Sequence, residues 1–220
     1  MIPLRDVIPS RTTPYVTITI IGLNALAWIY EISMPRGQLS AFLQVFGVVP
    51  AAFSAPTLLT SMFLHGSWSH AIGNMWYLWI FGDNVEDRMG HGRFIVFYLL
   101  CGIVAAVGQI VAAPQSTLPM IGASGAIAGV MGAYFVLYPH SRVLTLVPLI
   151  IFFEIIELPA IMLLGFWFLM QLFSAGDIAV TTATAGAGGI AFMAHVAGFV
   201  MGVVGVFAFR KKPPPDAWIY

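Results

Sequence analysis

Charge is the scarcest property of this 220-residue sequence: 8% of its residues are Asp, Glu, Lys or Arg, while 60% are hydrophobic. A water-soluble domain carries about a quarter charged residues. So few charges cannot cover a water-facing surface of this size. The mean hydropathy of +0.93 points the same way, and most of the chain must meet lipid. Cysteine is nearly absent too. Cys101 stands alone, which excludes an intrachain disulfide and cysteine metal motifs; in its apolar run it is expected to be lipid-facing or packed as a small hydrophobe. The net charge is zero, no basic patch is available, and no nucleic-acid partner is expected. No internal repeat of the kind that marks many transporters is present. The N-terminus does not read as a cleavable signal: Arg5, Asp6 and Arg11 lie among prolines, and no cleavage site closes the apolar run that follows.

What the sequence does contain is a series of apolar runs, most of them near the roughly 20 residues that a membrane crossing needs. They cover Tyr15 to about Ile32, the segment from His65–His70 to about Phe81, Phe94 to Ala112, Ser124 to Tyr138, Leu158 to Phe173, and Ile190 to Phe209. Leu39–Val49 is too short to span and reads as an interfacial helix. Val143–Ile156, followed by Glu157 and containing Glu154, reads as an interfacial or half-inserted piece. Ser174–Gly189 reads as a loop of small residues, and Asp83–Arg93 as a charged loop in which Glu86 and Arg88 make fixing contacts. The expected fold class is all-α: a polytopic bundle of six transmembrane helices over 15–210, with an N-terminal segment 1–14 and a tail 211–220 in the cytoplasm. With that topology eight of the nine basic residues fall inside and only Arg36 outside, a strong positive-inside bias.

Polar groups inside such runs are costly and usually functional. His70, Asn74, Ser124 and His195 stand out, with His65 just ahead of the second run. Ser124 lies in Gly122-Ala123-Ser124-Gly125, where glycines allow a sharp turn and close approach. A helix starting there aims unpartnered amides and the positive end of its dipole at the same point, a site suited to developing negative charge. His195, in Ala194-His195-Val196-Ala197-Gly198, offers an imidazole that can take a proton from a hydroxyl. Gly198, Gly202 and Gly205 share a helix face with His195, and Ala128 and Gly132 share one with Ser124. Packing of these small-residue stripes would bring the serine and the histidine together. His70 and Asn74, four apart, share a face, and both can donate hydrogen bonds to an oxyanion. His65 reads as structural. A metal is a poor use of these groups, because His65 and His70 are five apart and no carboxylate shares their motif; no cofactor is implied.

Together these motifs resemble the rhomboid family of intramembrane serine proteases: His65, His70 and Asn74, then Val85-Glu86-Asp87-Arg88-Met89-Gly90, then Gly122–Gly125, then Ala194–Gly198, in that order over about residues 15–210. The resemblance implies a Ser124–His195 dyad without a third acid, with Ser124 as nucleophile and His195 as general base. It implies oxyanion donors at His70, Asn74 and the Ser124 amide, with His65, Gly122, Gly125 and Gly198 as structural residues near the site. It also implies a fifth span and following loop acting as gate and cap, and single-span membrane proteins as substrates, met in the lipid bilayer. The compact six-span core suggests a prokaryotic inner (plasma) membrane, with an organelle membrane as the alternative. One position departs from the family. Many members carry an aromatic residue one turn after the serine, packed on the histidine; here it is Ala128, which leaves the imidazole less firmly held or held by an aromatic such as Phe192 or Phe199. A non-catalytic relative that binds membrane proteins for quality control is the alternative reading.

Overall fold

The helix Ser124–Leu137 (α6 in the numbering below) is the axis of the fold, with every residue from Gly125 to Tyr134 buried. The computed structural model describes residues 1–149, 152–181 and 191–211. Among them are α1 (Tyr15–Ser33), α2 (Arg36–Phe46), α3 (Thr57–Thr60), α4 (Trp68–Met89), α5 (His91–Ala112), α6 (Ser124–Leu137), α7 (Ala160–Thr181) and α8 (Phe192–Phe209). By length and composition α1, α5 and α8 are able to cross a membrane. At 14 residues, α6 is only about 21 Å long, against about 33 Å for α5. The two helices run antiparallel, with Gly125 against Ala105 and Gly129 against Cys101. From Ala105 to its end at Ala112, α5 runs on for about 10 Å beyond the start of α6, and Ser124 is sunk below that end.

The fold is mostly helical, as expected, but a small sheet is added to the expected all-α bundle. β1 (Ile2–Asp6), β2 (Arg142–Leu149) and β3 (Phe152–Pro159) make an antiparallel sheet in the order β1-β2-β3. The segment expected to lie half-inserted is thus a hairpin, with Arg142 opposite Pro159 and Leu149 opposite Phe152. Its composition suits a strand as well as lipid: Val, Ile and Phe favour a pleated surface. Burial alternates along it, complete at Val143 and Thr145 and partial at Leu144 and Leu146, the period of two of a strand. Pro3, which lacks an amide proton, is tolerated because β1 is an edge strand with a bulge between Pro3 and Arg5. The exposed Arg142–Glu157 pair, 3.3 Å apart, adds little.

Two further boundaries differ from expectation. The charged stretch after the second apolar run is helical up to Met89, and the turn comes at Gly90, whose φ of 78° suits glycine. The helix continues because its charges have partners. Glu86 is fully buried and accepts from the Val16 amide (3.0 Å), the Thr17 amide (2.8 Å) and the Thr17 hydroxyl (2.8 Å). It thereby caps the start of α1, where Pro14 supplies no side-chain cap, and meets the positive end of that helix dipole. Asp87 accepts from the Arg11 amide at 2.6 Å, and the Lys211 amide donates to the Arg88 carbonyl at 2.8 Å, so both ends of the chain are tied to the end of α4. The second boundary is α7, which runs on through Thr181 into the expected loop; residues 182–190 of that loop and 212–220 of the tail lie outside the described residues.

The sheet is joined to the bundle through Asp6, which accepts from the Tyr134 hydroxyl at 2.7 Å. Burial raises the Asp6 carboxyl from 3.8 to about 6, opposed by the Tyr134 hydrogen bond and assisted by Asp83. A raised acid contributes stability that is fully present below its unfolded value and is lost as pH rises through the folded one. Asp6→Asn keeps an acceptor for Tyr134 and removes the ionisation. Unfolding measured from pH 3.8 to about 6 should therefore show a flatter stability profile for the variant than for the parent, with the variant the more stable of the two above that range.

Candidate active site

The site forms where α6 and α8 come closest. A Cβ added to Gly198 would fall on the Gly125 carbonyl, one on Gly202 on the Gly129 carbonyl, and one on Gly132 on the Phe199 carbonyl. The two backbones touch, which only glycine permits. On α6 the touching face is Gly125–Gly129–Gly132; of the expected Ser124–Ala128–Gly132 stripe Gly132 lies on it, while Ser124 and Ala128 sit one residue round from Gly125 and Gly129. Gly205 is not part of the seam and packs against Met201 and Phe97. Cys101 is fully buried and packs against Gly129.

At the sunken end of this seam Ser124 Oγ and His195 Nε2 lie 2.8 Å apart, a hydrogen bond between two half-buried side chains. Ser124 is the first residue of α6, and no side chain caps that helix; its first amides and dipole point into the site. The chain reaches it through Gly122, whose φ of 124° excludes most other residues. The Gly122 amide is pinned to the Ser61 carbonyl at 2.8 Å, and Met120 pairs with Val48.

His70 and Asn74 come to the same turn from α4. A Cβ on Gly122 would lie 2.7 Å from His70 Cε1 and Nε2 and 3.7 Å from Asn74 Nδ2. Asn74 Nδ2 is 3.0 Å from His65 Nε2. His65 is itself held by its backbone amide on the buried Glu31 carboxylate, at 3.1 and 3.2 Å, and by the edges of Trp28 and His70. With Nε2 as acceptor, the His65 imidazole holds the Asn74 amide. His65, His70, Asn74, Gly122, Ser124, Gly125, His195 and Gly198 thus all lie at one end of three helices.

The family resemblance pointed to the fifth span as a gate, but sequence reasoning named none of the α7 residues that line the site. Ala160, Leu163 and Leu164 are buried, Trp167, Phe168 and Gln171 partly so, a helical stripe turned to the bundle, while Phe166, Leu169 and Met170 are exposed. Trp167 lies 5.9 Å from the His195 ring between centroids, and Phe192 meets that ring edge-on at 6.4 Å. With Ala128 fully buried and too small to reach, these two aromatics flank the imidazole; Phe199 stacks on Phe168 instead. Gln171 Oε1 lies 2.8 Å from His195 Nδ1. The available signal was a lone amide in an apolar run, one turn beyond a tryptophan.

Residues 52–212 match the family model described as the Rhomboid domain. The chain belongs to the rhomboid family. Among rhomboid relatives, the Rhomboid protease GluP of Bacillus subtilis is 42% identical over 76 residues, 34% of this chain and 14% of that protein. Rhomboid-like protein 11, chloroplastic, of Arabidopsis thaliana is 26% identical over 203 residues, 86% of this chain and 67% of that protein. Rhomboid protein 1, mitochondrial, of Saccharomyces cerevisiae is 30% identical over 95 residues, 41% of this chain and 28% of that protein. The chain covers less than two thirds of GluP and of the yeast protein. Rhomboid membership makes this a membrane-embedded helical domain, so the apolar faces of α7 and its neighbours meet the bilayer.

The glycine seam has a direct test. Gly202→Ala should cost about 1–3 kcal/mol or more, because the new methyl meets backbone that cannot give. At Gly205 the nearest atoms are side-chain atoms at 3.2 Å and beyond, and Gly205→Ala should be nearly neutral. Unfolding midpoints of the two variants in one detergent make the comparison.

Proposed function

We propose that this chain is an intramembrane serine endopeptidase that cleaves single-span membrane proteins within or near their membrane segment. The observation that carries the reading is the 2.8 Å contact between Ser124 Oγ and His195 Nε2 in a chain of the rhomboid family. A serine hydroxyl is a weak nucleophile until a base takes its proton. Here His195 Nε2 takes it as Ser124 Oγ bonds to the scissile carbonyl carbon. The carbonyl oxygen becomes an oxyanion beside the uncapped start of α6, with the Ser124 amide, His70 and Asn74 as donors. The imidazolium then gives its proton to the leaving amine, and the peptide bond breaks to an acyl-enzyme. A water molecule, deprotonated in turn by His195, releases the acyl group and restores both residues. Asn74 is well placed for its task because His65 holds its amide group and Glu31 holds His65.

Two physical constraints narrow the substrate. Hydrolysis needs water, so the sunken end of the seam must open to an aqueous side. A helix satisfies its own carbonyls, so a substrate segment must unwind before one can be attacked; segments of weak helix propensity, rich in Gly or in β-branched residues, are the ones to be cut. The proposal places six spans in the membrane and the Arg- and Lys-rich ends of the chain in the cytoplasm of a prokaryote. With relatives named for a chloroplast and a mitochondrion, the equivalent organelle compartment is the competing placement. The alternative function, a non-catalytic binder of membrane proteins, gives the Ser124–His195 contact a packing role only and leaves the His70 and Asn74 donors beside the uncapped start of α6 unused.

Ser124→Ala should abolish cleavage of a single-span substrate in liposomes while the protein stays folded, and should abolish labelling by a fluorophosphonate probe. Undiminished cleavage would end the protease reading. Asn74→Ala should lower kcat by about a hundredfold with a much smaller change in KM.

A further inference from the structure

An imidazole has two nitrogens, and a histidine can act as base toward Ser124 only if the nitrogen facing the serine is unprotonated. The ring alone does not select that form. Gln171 Oε1 lies 2.8 Å from His195 Nδ1, and an amide oxygen can only accept. With the amide oxygen turned to the ring, the tautomer that satisfies this contact carries its proton on Nδ1 and its lone pair on Nε2, 2.8 Å from the Ser124 hydroxyl. Gln171 and Trp167 are four apart on α7 and share a face; the tryptophan lies against the ring while the amide holds its edge.

We propose that Gln171 is a positioning residue that sets the tautomer and ring angle of His195; its catalytic consequence rests on the protease reading above. When the serine proton reaches Nε2 the ring becomes an imidazolium, and the Nδ1–H···Oε1 bond becomes charge-assisted and stronger. Gln171 thus favours the charged ring of the transition state over the neutral ring of the resting state. A neutral amide does this without burying a second ion at membrane depth, where a lone carboxylate is costly. The contact also crosses from α7 to α8, so the imidazole is set for catalysis only while α7 is seated on the bundle.

The test uses the full chain with 15N-labelled histidine, with the His195 signals assigned as those lost in His195→Asn, beside kcat and KM for a single-span substrate in liposomes. The wild type should show a pyrrole-type Nδ1 and a pyridine-type Nε2 at His195. Gln171→Leu should populate both tautomers and lower kcat about tenfold, the worth of one hydrogen bond to a charged group, with KM nearly unchanged. Gln171→Glu, which keeps the acceptor, should restore a single tautomer and most of kcat. If Gln171→Leu does not fold, Gln171→Met takes its place with the same expectation. A single Nδ1–H tautomer and wild-type kcat in the Leu or Met variant would overturn the proposal, as would equal losses in the Leu and Glu variants. The tautomer is read without turnover. A wild type that cleaves nothing but whose His195 tautomer follows Gln171 would sink the protease reading and leave the positioning role standing.

Discussion

The contact between the backbones of α6 and α8 is the constraint on which the rest depends. Lipid offers no hydrophobic drive for helix association, so membrane helices hold together by close packing and by hydrogen bonds between the few polar groups they carry. Gly125, Gly129 and Gly132 on one helix and Gly198 and Gly202 on the other keep side chains out of the points where the two backbones touch. The helices then lie closer than any larger residue permits, and a short serine on one can reach an imidazole on the other. In that setting the Ser124–His195 hydrogen bond serves packing, since it satisfies two polar groups that would otherwise stand bare among apolar neighbours; in the proposed protease it would also give the hydroxyl its base.

The polar features at the two ends of the bundle do different work. At one end Glu86 and Asp87 gather the start of α1 and the segment before it, Lys211 joins α8 to α4, and the three-stranded sheet is tied on through Asp6 and Tyr134. These contacts hold the helices in register. At the other end α6 stops short, and the space above it receives side chains from four helices: His70 and Asn74 from α4, Ser124 from α6, Trp167 and Gln171 from α7, His195 from α8. Of these four, α7 presents one face to the bundle and a broad apolar face, with Phe166, Leu169 and Met170, outward.

Much of the site was legible in the sequence because lipid makes polar residues conspicuous. A serine between glycines and a histidine ahead of a glycine stripe need few alternatives weighed, and the spacing of those glycines pointed to the pair of helices that meet. The register was off by one residue on α6, since Ser124 belongs to the rim of the seam and Gly125 to its floor. The sheet was not legible. Val143–Ile156 is apolar enough to pass for a membrane-associated piece, and an alternation as slight as Val143 and Thr145 against Leu144 and Leu146 is outweighed by overall hydropathy. The helical charges of α4 misled for the opposite reason: Asp83–Arg88 looks like a water-facing loop unless one knows that Glu86 caps another helix. Gln171 and Trp167 were hidden by distance in the chain, because their partner, His195, lies 24 residues on from Gln171, on a different helix.

The most direct measurement is an experimental structure of the chain after reaction with a peptidyl phosphonate. The account predicts a covalent bond from phosphorus to Ser124 Oγ, His195 Nε2 within hydrogen-bond distance of the adduct, and the phosphoryl oxygen turned to the Ser124 amide with His70 and Asn74 around it. An adduct on another residue, or one on Ser124 whose oxygen points away from α4 with His195 displaced from the serine, would contradict it.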